Sequence, residues 1–228
     1  MKKIAIVDDD RDSRESLGFL VDDAGFDPVL IEGCFGNKKQ KLIDKIQEHD
    51  VYGVISDHRL THGKLANFLG SELLANLYDQ SIPSILITQF LDVDADTSIR
   101  RHRDKLPAVI GRGNQDPDLL IKLLEFSKNE LLIGRSVTRK PHRAIIRIDD
   151  LRSHQEDGTI EGIVINWNAN VKIRFPSDII PNDILNELSH TEINRIMAFV
   201  NTGAESSEEI FITDIHLAPK IRGLDELC

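Results

Sequence analysis

The feature that most constrains this chain is the rhythm of its first 133 residues, where short β-branched runs alternate with amphipathic stretches. Lys3–Val7 (KIAIV), 27–31, 51–56 (VYGVIS), Ser84–Thr88 (SILIT) and 107–110 are short runs built around apolar residues, and the first, β-branched and followed by aspartates, reads as a buried strand. Between them, 13–24 sets Leu17, Leu20, Val21 and Ala24 at helical spacing, with Ser13 as N-cap and Gly25 as stop. Helical spacing also predicts helices at 38–48, 70–78, 97–105 and Pro117–Ile133. Strands alternating with helices require a parallel sheet with right-handed crossovers and helices on both faces. The expected fold of residues 1–133 is therefore α/β, a doubly wound five-stranded sheet.

The texture changes after Gly134. Residues 134–143 form a polar, basic linker (RSVTRKPHR from Arg135), and residues 144–228 turn to strand patterns at 144–150, 159–167, 171–175, 193–201 and 209–217. With a short helix at 182–188, that order predicts a small, mainly antiparallel β-barrel, OB-like in its element order. Its charge is uneven: 7 Lys+Arg against 15 Asp+Glu in 144–228 give −8 of the total −10. Such an acidic segment repels a phosphate backbone, which disfavours nucleic acid as its ligand.

No apolar run approaches the ~20 residues that cross a bilayer, and the run after the first lysines is only Ile4–Val7, too short for a signal peptide. Two cysteines, Cys34 and Cys228, make no disulfide framework. A cytoplasmic protein is expected, with no membrane partner.

In an open parallel sheet, functional groups gather at the carboxyl ends of the strands. Asp8 and Asp9 follow the first strand, Asp57 the third, Thr88 closes the fourth, and Arg112 comes just after the fifth. One aspartate at a strand end would be a turn former or helix cap. Three carboxylates on one edge repel one another, and a hard divalent cation such as Mg²⁺ relieves that through oxygen ligands.

The stretches IAIVDDDRDSRESL, VISDHRL, GSELL, SILIT and VIGR together resemble the receiver domain of two-component response regulators, the CheY-like family. The resemblance implies a flavodoxin-like fold, Mg²⁺ dependence, and phosphoryl transfer to Asp57 from a sensor histidine kinase or a phosphotransfer protein. It implies that Asp8, Asp9, Asp57 and the backbone carbonyl of Arg59 hold the Mg²⁺, and that the Thr88 hydroxyl turns onto the phosphoryl group. The chain departs from the family pattern at Arg112 and Gly113, where lysine and proline are usual, and at Val109, where an aromatic residue is usual. Gln89 follows Thr88 where a small residue is usual, and the loop after Asp57 (HRLTHGKLANFLG) is longer, with Thr61 in place of proline. Arginine keeps the positive charge but not the shape of lysine. These departures predict either an output coupling of the chain's own or a loss of regulation. If the Arg112 guanidinium reaches the phosphoryl group, its removal is expected to spare cation binding.

Weaker signals have plainer explanations. IRRHRDK (Ile99 to Lys105) reads as a solvated helix face before a binding patch, and Arg135, Arg139, Lys140 and Arg143 as linker cations. His154, Asp157 and Glu161 read as surface loop before a metal site, and Trp167 as packing before a base-stacking platform. Residues 134–228 hold no nucleophile elbow, P-loop or HExxH. The expected output is a protein-binding domain of unassigned target; the alternative is a transcriptional regulator with a nucleic-acid-binding C-terminal domain. A homodimer stays open.

Overall fold

The computed structural model describes residues 1–151, 158–190 and 194–219. Five parallel strands form the first sheet: β1 (Lys3–Val7), β2 (Asp27–Leu30), β3 (Gly53–Asp57), β4 (Ser84–Thr88) and β5 (Ala108–Gly111). Their order is β2-β1-β3-β4-β5, the flavodoxin-like doubly wound order. Ile4, Ile6, Ile55, Ile85 and Ile87 are fully buried, and each contributes roughly 1.5–3 kcal/mol of apolar transfer. Burial on both faces of β1, β3 and β4 explains why these strands read as apolar runs rather than alternating ones, whereas β2 and β5 at the sheet edges are only partly buried.

The helices are α1 (Arg11–Asp23), α2 (Lys39–Gln47), α3 (Gly70–Asp79), α4 (Leu91–Thr97) and α5 (Pro117–Ile133). The cap of α1 is Asp10 rather than Ser13. Asp10 has the extended backbone of a cap, and its side chain accepts from the Ser13 N–H at 2.8 Å. Asp116 caps α5 in the same way with Pro117 in the first turn, and Gly134 ends that helix at φ 95°.

The stretch 97–105 is not the helix expected. It holds the end of α4 and two 3-10 turns, Ile99–Arg101 and Arg103–Lys105. Nor is it a solvated face, since Ile99, Arg100 and Arg103 are buried. Their tertiary hydrogen bonds override local helix propensity.

The chain divides into two compact units that are not continuous in sequence. The first is Met1–Asp94 with Lys105–Ser136, and the second is Ala95–Asp104 with the chain from Val137 onward.

In the second unit β6 (His142–Asp150), β7 (Thr159–Val164), β8 (Ile173–Pro176), β9 (Arg195–Val200) and β10 (Ile212–Leu217) form an antiparallel sheet in the order β10-β9-β6-β7-β8. This sheet is the half-barrel of the expected β domain, and α6 (Asn182–His190) is its helix. Along β6, Ala144, Ile146 and Ile148 turn inward, where they meet Ile160, Phe175, Ile196 and Val200. Trp167 packs against this core and its Nε1–H donates to the Ala204 carbonyl at 2.8 Å, so its ring is packing material. The weak metal signal falls partly on His154 and Asp157, which lie outside the described residues; Glu161 pairs with Lys172.

Candidate functional site

The doubly wound order brings the carboxyl ends of β1, β3, β4 and β5 to one edge, over a cavity of about 430 Å³ lined by Asp8, Asp9, Asp57, Arg59, Thr88 and Arg112 among others. All six residues singled out from sequence therefore line one cavity.

At its centre is Arg112. One guanidinium nitrogen, Nη2, donates to Asp8 Oδ2 at 2.7 Å and to Asp57 Oδ1 at 2.5 Å. The Arg112 backbone N–H donates to the Thr88 carbonyl at 2.7 Å, which ties the arginine to the end of β4. The other oxygen of Asp57 accepts from the Arg59 N–H at 2.7 Å, and Asp8 Oδ1 accepts from the Asp10 N–H at 3.0 Å. Arg14 donates to the Asp8 carbonyl at 2.7 Å and holds β1's end against α1. Gly70 opens α3 against the back of the site, where a Cβ would collide with the Asp57 carbonyl oxygen.

Burial pushes the Asp57 carboxyl above the ordinary aspartate value, and the neighbouring Asp8 charge adds to this; Arg112 and the Arg59 N–H work against it. Asp8 is also raised, by burial first. Burial opposes the charge on Arg112, but its bonds to the two carboxylates outweigh that and raise its pKa.

The donor chemistry suits a hard divalent cation, since every candidate ligand is an oxygen. The place between Asp8 and Asp57 is held by Arg112, however, and Asp9 is turned aside to accept from the Gly63 N–H at 2.5 Å. Among the described residues no three His, Cys, Asp or Glu side chains gather as a ready metal cage. The guanidinium thus lies against the same two carboxylates that the sequence offered as cation ligands.

Sequence reasoning missed Asp94. It is buried, its Oδ2 accepts the Thr88 hydroxyl proton, and its Oδ1 pairs with Arg59 Nη2 at 2.7 Å. The Arg59 guanidinium also lies over the Phe90 ring, 4.4 Å from its centroid. The only available signal was an acidic, short-period stretch, LDVDADT, which lacks helical apolar spacing.

No family model matches the chain, and neither does any curated protein. Among solved structures, a response regulator receiver domain protein from Clostridium thermocellum is 16% identical with a TM-score of 0.45, covering 58% of this chain and 100% of that one. The signal receiver domain of an HD domain-containing protein from Pseudomonas fluorescens is 17% identical with a TM-score of 0.43, covering 57% and 89%. Chemotaxis protein CheY4 of Vibrio cholerae is 19% identical with a TM-score of 0.40, covering 55% and 97%. Most of the structures found this way are response regulator receiver domains, and they span about 58% of the chain.

Proposed function

We propose that the first unit is a response-regulator receiver that accepts a phosphoryl group on Asp57 from a phosphohistidine of a kinase or phosphotransfer protein. The observation that carries this is the convergence of Asp57, Asp8, Thr88 and Arg112 on one cavity at the carboxyl edge of the sheet. A carboxylate oxygen of Asp57 attacks phosphorus and the P–N bond breaks. The imidazole leaves with that electron pair and takes up a proton, and a mixed anhydride remains on Asp57. A divalent cation such as Mg²⁺, held by the carboxylates of Asp8, Asp9 and Asp57 and the backbone carbonyl of Arg59, would neutralise the charge gathering on the transferred oxygens. Arg112 neutralises the carboxylate pair beforehand, and the Arg59 N–H orients Asp57.

Incubation with a small-molecule phosphodonor and Mg²⁺ should add one phosphoryl mass to the intact chain. Asp57→Asn should add none, and uptake by that variant equal to wild type would remove Asp57 from the account. Only the ionised carboxylate attacks. Because the Asp57 pKa is raised, uptake should fall on acidification at a higher pH than for a solvent-exposed aspartate. A rate profile against pH checks this.

We read the second unit as a protein-binding output rather than a nucleic-acid one, because its acidic charge and its paired cations disfavour a phosphate backbone. Two of its three candidate cations are engaged with its own acids: Lys172 lies 3.3 Å from Glu161 and 3.5 Å from Asp149, and Arg174 lies 3.8 Å from Glu161, while Arg195 donates to the Pro219 carbonyl at 3.5 Å. A titration of the full chain against labelled duplex at low salt should show no binding tighter than about micromolar. Tighter binding that weakens steeply with salt would restore the transcriptional alternative.

A further inference from the structure

Residues along β6 alternate inward and outward, and the outward residues of an antiparallel sheet with one wet face are ordinarily polar. In the second unit several are not. Ile145 on β6 is 45% exposed, Ile165 just past β7 is 45% exposed, and Phe199 on β9 is 39% exposed. The register gathers them. Ile145 lies opposite Met197 on β9, and on its other side the Ile165 N–H donates to the Ile145 carbonyl at 2.9 Å. Met197, Ile145 and Ile165 thus form one apolar row across three strands, and with Arg143 they line a cavity of about 490 Å³. A single exposed apolar side chain is normal, whereas a contiguous group rimmed by polar residues marks a binding surface.

Cations flank the row on both sides. Two residues along β6 in one direction, Arg143 faces Phe199; two residues in the other, Arg147 faces Arg195. At ~3.4 Å per residue the flanks are roughly 14 Å apart. Arg147 pairs with Asp149 at 3.0 Å. Arg143 reaches the Met197 sulfur at 2.9 Å and Arg195 the Pro219 carbonyl at 3.5 Å, and neither has a carboxylate partner among the described residues. The acids at the margin are already engaged, Asp149 also with Lys172 at 3.5 Å and Asp214 with His216 at 3.0 Å. Within an acidic segment, this one face has cations to spare.

β6 and β9 both lie inside the sheet, so their backbone N–H and C=O groups are taken by neighbouring strands. An extended segment laid on the face would find no backbone partners, but a helix brings its own already satisfied. A helix is about 10–12 Å across, which fits between the two cationic flanks. Resting on the protein-binding reading of the second unit, we propose that the outward face of β6 and β9, with Ile165, docks an amphipathic helix of a partner protein. Its apolar stripe would lie on Met197, Ile145 and Ile165, and acidic residues on its two sides would meet Arg143 and the Arg147–Arg195 pair. A nucleic-acid duplex suits the face less, because it has no apolar stripe and its charge continues past the patch.

The probe is a fluorescein-labelled synthetic helix of about 20 residues, made of leucine, alanine and glutamate so that one stripe is apolar and both flanks acidic. Titrated against the full chain by fluorescence anisotropy, it should bind with a Kd below about 100 μM. A copy with lysine for every glutamate should bind about tenfold more weakly or worse. Ile145→Glu should weaken the acidic probe about tenfold and Arg143→Glu about fivefold. Both side chains are exposed, so unchanged Trp167 fluorescence guards against misfolding. No binding of the acidic probe, equal binding of the lysine copy, or variants that bind as wild type does would overturn this inference alone. Self-association of the chain that Ile145→Glu abolishes would give the face to a second copy and overturn it as well. Labelled duplex that binds wild type and is lost in Arg143→Glu would overturn the protein-binding reading along with it.

Discussion

Replacing Arg100 with alanine should destabilise the second unit by about 3–5 kcal/mol, a large part of what a domain of this size has to lose. The side chain is inside, and three backbone carbonyls of that unit, those of Arg174, Ser207 and Ile210, accept from it. Alanine would leave them without this donor, together with a cavity the length of an arginine stem. Asp96, which pairs with Nη2 at 2.9 Å and is one-third exposed, would lose its partner at little consequence because water can reach it. Urea unfolding followed by Trp167 fluorescence, which reports on the second core, should show the midpoint shift. Arg100→Lys should recover little of the loss, because one ammonium cannot reproduce a planar fork that meets three carbonyls and a carboxylate. A change below about 1 kcal/mol would mean that the carbonyls find other donors.

Replacing Arg112 with alanine should tighten Mg²⁺ binding by about tenfold, the equivalent of roughly 1.4 kcal/mol. Nη2 sits on both Asp8 and Asp57, so a cation entering between them must displace an ion pair that already exists. Without the guanidinium, two buried carboxylates face each other and a divalent cation is their remaining source of neutralisation. Isothermal titration with Mg²⁺ measures this independently of phosphoryl transfer, and unchanged affinity would show that cation and guanidinium occupy separate places. Stability should follow with a definite sign. Both carboxyls have folded-state pKa values raised above the ordinary one, so their ionisation opposes folding. That opposition is absent well below the ordinary aspartate pKa and grows as pH rises through the raised values. In chelator, Arg112→Ala should therefore lose stability relative to wild type as pH rises through the carboxylate range, and Mg²⁺ should restore it.

These two arginines mark the limits of what residue order alone conveys. Arg112 was legible as a site residue because the doubly wound order sends the end of every strand to one edge, so position after β5 suffices. That it bridges Asp8 and Asp57, rather than reaching outward, depends on side-chain geometry that no spacing encodes. Arg100 was not legible at all. In IRRHRDK four cations look like a solvated face, and nothing local distinguishes an arginine whose partners are backbone carbonyls more than 70 residues away. The same holds for 95–104 as a whole: its allegiance to the second unit is fixed by tertiary hydrogen bonds, which leave no periodic trace. Asp94 was hidden because α4 is too short for helical periodicity to appear. The strands, by contrast, agree with the structure within about two residues at most of their ends, since burial on both faces writes itself directly into composition. The small difference at α1 is a matter of capping chemistry. With three aspartates before the helix, the last of them outcompetes Ser13 for the cap, and Ser13 becomes the residue whose N–H is satisfied.

The central claim is that Asp57 itself forms the acyl phosphate. Borohydride cleaves an acyl phosphate to an alcohol, which converts a phosphorylated aspartate to homoserine and fixes the site covalently. After treatment with a phosphodonor and Mg²⁺, reduction and proteolysis, the peptide that carries Asp57 should hold the homoserine, and the Asp8–Asp9 peptide should be unchanged. Homoserine at Asp8, Asp9 or Asp94, or none in a chain that had gained phosphoryl mass, would contradict the account.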